Sequence, residues 1–169
     1  MRRHHRAIML GIAAWTAVTV AASATPEAST AEERARIVAL SRAFERDVLG
    51  PDAGRLATEI QGWWIEVPDL TVTWVRDLLP AEEIGSQVVA RALAVQALAA
   101  AGVFVIEHPD RASDRRASWV AGLEGVVRAY QRILVKHREL RDPFLDRLAD
   151  RCAAGTLVEY IDERVGGYR

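Results

Sequence analysis

Cysteine is almost absent from this 169-residue chain, in which Cys152 is the only one. A single cysteine excludes an intramolecular disulfide, and it excludes the paired-cysteine motifs that bind structural zinc or attach haem. Lysine is equally scarce, since Lys136 is the one lysine among 22 basic residues. Arginine is therefore the default basic residue of the chain, and an isolated arginine says little about function.

Sequence motifs of the well-marked enzyme classes are missing as well. No serine lies in a G-x-S-x-G elbow, no pair of histidines fits H-E-x-x-H, and no glycine-rich loop follows a strand pattern. These absences leave serine hydrolases of that type, zinc proteases and nucleotide-binding folds without support. No cofactor is predicted.

Residues 1–24 have the three parts of a secretory signal peptide. Three arginines precede an apolar segment over residues 7–20, and Ala22-Ser23-Ala24 fits an A-x-A cleavage site. We predict cleavage after Ala24 and export to a bacterial periplasm or to the medium. The alternative is an uncleaved membrane anchor, because residues 7–24 approach the length that spans a bilayer.

The charge of the exported chain argues against nucleic-acid binding. Removal of the leader leaves 19 of the 22 basic residues against all 23 acidic residues, a net charge of about −4. A nucleic-acid binder normally presents a basic face instead.

Apolar residues recur at helical spacing between a flexible lead, residues 25–29, and a short tail, residues 167–169. The sequence predicts one all-α domain over residues 30–166, a compact bundle of about six helices around a central hydrophobic helix. The central helix corresponds to VVARALAVQALAAAGVFVI, residues 88–106, which only Arg91 and Gln96 interrupt. We expect it to open at residues 81–83, to stop before Pro109 and to bury Leu98. A bilayer-spanning helix is the alternative for this run.

Capping signals predict where other helices begin. Thr30 and Glu33 fit a capping box at the start of the first helix. Residues 70–79 are ambiguous between a strand-like alternation and a four-residue helical repeat, and we predict a short helix with Asp69 as its N-cap because no second strand is available. Two later helix starts are predicted at Asp142-Pro143 and, as a second capping box, at Thr156 to Glu159.

The clearest amphipathic helix follows a loop at residues 110–114. Its apolar positions step by three and four residues along one stripe, which we expect to face the core. The stripe consists of Val120, Leu123, Val127, Tyr130, Leu134 and His137.

Tryptophans form the first candidate binding site. Trp63, Trp64 and Trp74 lie within twelve residues of one another. Adjacent helical positions point about 100° apart, so Trp63 and Trp64 can hardly fill the same core pocket. We predict that one of them lines a groove for an apolar small molecule or a partner helix, and the alternative is that both fill a broad core face.

A second candidate site lies where the central helix ends. Glu107, His108 and Asp110 could bind a divalent metal or act in acid–base catalysis, with Asp110 orienting His108. His137 could share a metal with His108 if the two faced each other. The structural alternative is a polar helix end with His108 near the negative end of the helix dipole.

Cys152 is predicted to be buried and inert, because it follows Leu148 and Ala149 on the inward face of a helix. A reactive thiol or an intermolecular disulfide is the alternative.

Together these patterns predict an exported, non-enzymatic domain that binds a protein partner or an apolar small molecule. The first alternative is a small metal-dependent or acid–base enzyme at Glu107, His108 and Asp110. The second is a membrane-attached helical scaffold, which requires the N-terminal segment to stay uncleaved. The sequence does not indicate the oligomeric state.

Overall fold

The computed structural model describes residues 27–166, so the leader predicted at residues 1–24 and the tail at residues 167–169 lie outside the described residues. Within residues 27–166 the chain is helical and contains no strand, which confirms the prediction of a compact all-α fold. Four short 3₁₀ helices separate the longer elements. The α-helices of this part of the chain are α1 (Ala31–Arg46), α2 (Ala53–Glu66), α3 (Gln87–Glu107), α4 (Arg115–Lys136), α5 (Pro143–Ala153) and α6 (Leu157–Val165).

Two of the predicted helix starts are confirmed by their hydrogen bonds. The Thr30 hydroxyl accepts from the Glu33 amide at 3.2 Å, and the Glu33 carboxylate accepts from the Thr30 amide at 2.7 Å. At α5 the Asp142 carboxylate accepts from the next two free amides of the helix, as an N-cap does. The capping box predicted at Thr156 is wrong: the chain reverses at Gly155, whose φ is +70°, and the Thr156 hydroxyl donates to the carbonyl of Arg151 instead.

The short helix predicted over residues 70–79 is wrong. The chain is extended up to Val75, and only Arg76–Leu78 form a 3₁₀ turn. The Asp69 carboxylate caps no helix, because it accepts hydrogen bonds from Ser29 and Arg34 at the start of α1. Long-range contacts therefore outweigh the local helical pattern in this segment.

The central helix starts later than predicted. Residues Ala81–Glu83 form a separate 3₁₀ turn, and α3 begins at Gln87 with Ser86 as its N-cap. Between them the Gly85 amide donates to the Asp142 carboxylate at 2.8 Å, and this contact with a distant segment separates the turn from α3. The end before Pro109 agrees with the prediction.

Helices α3 and α4 form an antiparallel pair in close contact. The Ser118 hydroxyl donates to the Ala101 carbonyl, and a Cβ atom added at Gly122 would lie 2.9 Å from the Ala97 carbonyl oxygen. A Cβ atom at Gly125 would collide with the Cβ of Ala100. Small side chains on both helices therefore allow the two backbones to approach each other.

The other helices pack around this pair. Helix α3 also contacts α1 and α2, whereas α5 and α6 pack against α4 and each other. Leu98 is only half-buried, contrary to our expectation, while Leu93 on the same helix is fully buried. By length and composition alone α3 is able to cross a membrane, with a mean hydropathy of 2.0, and 56% of that apolar window is buried against the rest of the protein.

The buried face of α4 is rotated slightly from the predicted stripe. Leu123, Val127 and Tyr130 are buried as expected, but Val120 and Leu134 are only partly buried. Val126 is buried beside the stripe, as expected from its position next to Val127, and the buried residues outside the prediction are Ala129 and Ile133.

Candidate functional site

A cleft of about 540 Å³ lies between α1, α3 and α4. Helices α1 and α4 both run antiparallel to α3 and contribute its two walls, and α3 contributes its floor. Apolar side chains of α3 alternate there with charged ones from all three helices. The side chains that line the cleft are Ser41, Arg42, Glu45, Arg46, Gln96, Ala100, Val103, Phe104, Glu107, His108, Ala121, Glu124, Arg128 and Arg132.

Ion pairs hold the three helices around the cleft. Arg42 of α1 pairs with Glu107 of α3. Just after the C-terminal end of α1, Asp47 pairs with Lys136 of α4 at 2.6 Å. These contacts connect α1 to both partners, so the cleft has a defined shape.

Glu45 is the centre of the largest charged cluster in the cleft. Its side chain is 15% exposed and accepts hydrogen bonds from Arg128 at 3.0 and 3.1 Å and from Arg132 at 2.7 Å. Burial raises the pKa of Glu45, but the hydrogen bonds and charges of the two arginines outweigh it, and the net pKa is lowered from 4.5. Glu45 is therefore ionised at neutral pH.

Gln96 forms part of the cleft floor although it is 1% exposed. Its Nε2 atom donates to the Glu45 carboxylate at 3.1 Å. Because an ionised carboxylate can only accept, this contact fixes the amide orientation and assigns the other atom as Oε1. Gln96 Oε1 is buried and has no hydrogen-bond partner among residues 27–166, and an unsatisfied atom of this kind typically costs about 1–3 kcal/mol.

Arginines give the cleft a local excess of positive charge. Four arginines and three glutamates line it, whereas acidic residues outnumber basic ones over the chain as a whole. Glu45 and Glu107 are both engaged by arginine partners. The exposed guanidinium of Arg46 has no ion-pair partner within residues 27–166.

The residues predicted at the end of α3 are only partly brought together. Glu107 and His108 both line the cleft. Glu107 pairs with Arg42, and the centroid of the His108 ring lies 4.8 Å from that of the Phe104 ring. Asp110 lies in the following 3₁₀ turn, is exposed and does not line it. Across residues 27–166, no group of three or more His, Cys, Asp or Glu side chains is arranged to hold a metal ion.

The second histidine of the predicted metal pair lies far from the first. His137 is the C-cap of α4, and its ring is 3.3 Å from the Glu139 carboxylate. Helix α4 has 22 residues and spans roughly 33 Å, and it runs antiparallel to α3. His108 and His137 therefore lie at opposite ends of the α3–α4 pair, and this arrangement does not allow them to share an ion.

The structure does not bring the three predicted tryptophans into one groove. Trp63 and Trp64 contact each other edge to face, with ring centroids 4.9 Å apart. Trp64 lies over Gly102 of α3, and its indole Nε1 is buried without a partner. Trp74 lies over Gly122 of α4. All three pack partly buried against the core, and none of them lines the cleft.

Trp74 does line a second cavity, of about 840 Å³, together with Trp119 and Arg116. Two of the polar side chains there have partners: the Trp119 indole donates to the Thr73 carbonyl at 2.8 Å, and Arg116 pairs with Asp162 at 2.5 Å. The cleft with its unpaired amide oxygen is the stronger candidate for a binding site.

Cys152 lies partly buried against the core. Burial raises the pKa of the thiol, and the nearby charge of Glu124 adds to this effect while Arg128 opposes it. The reactive thiolate form is thus disfavoured at neutral pH.

Sequence reasoning noted Gln96 as an interruption of the apolar run but did not assign it to a site. A glutamine in the middle of a helix that other helices cover needs hydrogen-bond partners for its amide. Its presence in the apolar run was therefore the sequence signal that could have indicated a buried polar site. The fold and the cleft together define the protein as an all-α domain with an arginine-rich cleft. No family model, curated protein or solved structure matches the chain.

Proposed function

We propose that this protein is a non-enzymatic binding domain and that the cleft between α1, α3 and α4 is its binding site. The observation that carries the proposal is Gln96, whose buried Oε1 lacks a hydrogen-bond partner at the floor of the cleft. Buried polar groups are usually satisfied, and those that are not call for a functional or structural reason. Because the atom is buried in the unliganded protein, a ligand supplies one if it displaces a covering side chain and donates a hydrogen bond to Oε1.

The charged groups of the cleft suit binding better than proton transfer. Glu45 is kept ionised by Arg128 and Arg132, and an arginine does not release its proton in a protein. Glu107 is engaged by Arg42. Fixed charges of this kind orient a ligand without exchanging protons with it, and this favours the binding hypothesis over the enzyme centred on Glu107, His108 and Asp110.

The proposal includes export and a single bundle over residues 30–166. Its basis for export is the sequence of residues 1–24, which has the pattern of a cleaved leader. For the bundle, the contacts of α3 with three helices and of α4 with α5 and α6 are in favour of six helices around one core.

A cleft-filling variant tests the location of the site. Ala121 lines the cleft on α4, so Ala121→Trp should block it, whereas Ala94→Trp places the same side chain on an exposed position of α3 outside it. We expect small molecules found by thermal-shift screening to bind Ala121→Trp at least about tenfold more weakly than Ala94→Trp, by calorimetry. Equal affinities for both variants, with both proteins folded, would place the binding site elsewhere.

A further inference from the structure

We infer that the ligand of the cleft is a small organic acid that carries its own N–H or O–H donor. The inference rests on the proposed function, because it names the ligand class for the same cleft. It depends on two side chains that line the cleft and make different demands on a ligand, Arg46 and Gln96.

Arg46 accounts for the acid group. The carboxylates of Glu45, Glu107 and Glu124 each have another arginine as partner, and the Arg46 guanidinium makes no ion pair within residues 27–166. A guanidinium binds a carboxylate through two parallel hydrogen bonds, and the geometry is specific for a planar anion. The surplus of arginine over glutamate in the cleft also disfavours a cationic ligand.

Gln96 accounts for the second group on the ligand. Its Oε1 atom accepts hydrogen bonds and cannot donate them, so an ionised carboxylate on the ligand cannot satisfy it. A purely apolar ligand would leave it unpaired as well. An amide N–H or a hydroxyl on the same molecule provides the missing donor when the ligand displaces the side chains that cover this atom in the unliganded protein.

The remaining lining explains why the acid has an organic body. Ala100, Val103 and Phe104 contribute apolar surface to the cleft, and a volume of about 540 Å³ lies in the usual range for small-molecule sites. Inorganic anions would leave this apolar surface without contacts.

Calorimetry with three matched series tests both groups. The probes are the N-acetyl derivatives of glycine, leucine and phenylalanine. Each is compared with its methyl ester, which lacks the negative charge, and with the carboxylic acid of similar length that lacks the amide. We expect at least one N-acetyl amino acid to bind, and both of its analogues to bind at least about tenfold more weakly.

Variants assign the two groups to the two side chains. Arg46→Gln should remove the preference for the acid over its ester, and Arg91→Gln, an exposed arginine of α3 outside the cleft, should leave it unchanged. Gln96→Leu should remove the preference for the N-acetyl compound over the acid without the amide. Arg46 is exposed, so its variant keeps the test valid even if Gln96→Leu fails to fold.

The outcomes separate the ligand class from the proposed function. If esters or acids without an amide bind as well as the N-acetyl amino acids, and Ala121→Trp weakens all of them, the ligand class is wrong and the binding cleft stands. If no N-acetyl amino acid binds at millimolar concentration, the ligand class is also wrong. If, in addition, no neutral, basic or apolar compound shows binding that Ala121→Trp weakens, both proposals are overturned.

Discussion

Gln96 occupies a buried position of α3 that α1 and α4 cover. An apolar side chain at this position would not introduce a buried oxygen without a hydrogen-bond partner. Under the proposed function, Gln96 is a binding residue that is retained at a cost in stability. Its amide makes one hydrogen bond, to Glu45, and leaves one buried atom unsatisfied.

Replacement of Gln96 should therefore affect stability in a way that depends on the volume of the new side chain. Gln96→Leu removes the unpaired oxygen and fills the space, and Glu45 keeps its two arginines, so we expect a free energy of unfolding within about 1 kcal/mol of wild type. Gln96→Ala leaves a cavity and should lose roughly 2–3 kcal/mol. Urea denaturation measures both, and an equal loss in the two variants would identify the hydrogen bond to Glu45 as essential for the fold.

Glu45 predicts an acid-dependent loss of stability. Its pKa in the folded protein is lowered from 4.5, so its contribution is fully present above the unfolded value and is lost as the pH falls through the lower, folded value. Glu45→Gln should lose about 1–3 kcal/mol at pH 7, and its stability should approach that of wild type as the pH falls below 4.5 and through the lowered folded-state pKa. Urea denaturation between pH 3 and pH 7 tests this, with Glu82→Gln, an exposed position in a 3₁₀ turn, as the control. A constant difference across this range would contradict the assignment.

At the scale of elements, the close approach of α3 and α4 depends on glycine. A Cβ atom at Gly125 would collide with Ala100 and would lie 3.1 Å from Gln96 Nε2, beneath the cleft. We expect Gly125→Val to force the two helices apart and to lose about 1–3 kcal/mol. Gly62→Ala in α2 is the matched control, since nothing lies within 4 Å of its added Cβ, and it should gain about 0.5–1 kcal/mol from helix propensity. A Gly125→Val variant that melts at the wild-type temperature would show that the pair can separate without cost.

Local patterns predicted most helices but not the segment between α2 and α3. Thr30 and Asp142 cap helices as expected because capping depends on residues within three positions. The path of residues 67–86 depends instead on contacts with distant segments, such as Asp69 with Arg34 and Gly85 with Asp142. Spacing within a segment carries no information about such partners.

The candidate site was less predictable than the helices. Glu107 and His108 were singled out and do line the cleft, but the arginines from α1 and α4 were not. Arginine is common throughout the chain, and which exposed arginines face one another follows only from the packing of three helices. The tryptophans cluster in the sequence, whereas in the structure Trp64 packs over α3 and Trp74 packs over α4.

At the scale of the whole molecule, two segments are candidates for contact with a membrane, α3 and residues 1–24. Helix α3 is apolar enough to span a bilayer, but its buried positions contact α1, α2 and α4. Its transfer into lipid would expose the apolar faces of those helices to water and would bury Gln96 in hydrocarbon. These costs argue against α3 as a membrane-spanning helix.

We expect the protein to be exported, to be recovered without detergent and to begin near Thr25. N-terminal sequencing and extraction with alkaline carbonate measure the two properties together. Ala24→Leu removes the small residue that the cleavage site requires, so this variant should keep its leader and remain in the membrane fraction. A wild-type protein that retains residues 1–24 and resists extraction would make the leader an anchor, and a protein that begins near Thr25 yet resists extraction would point to α3.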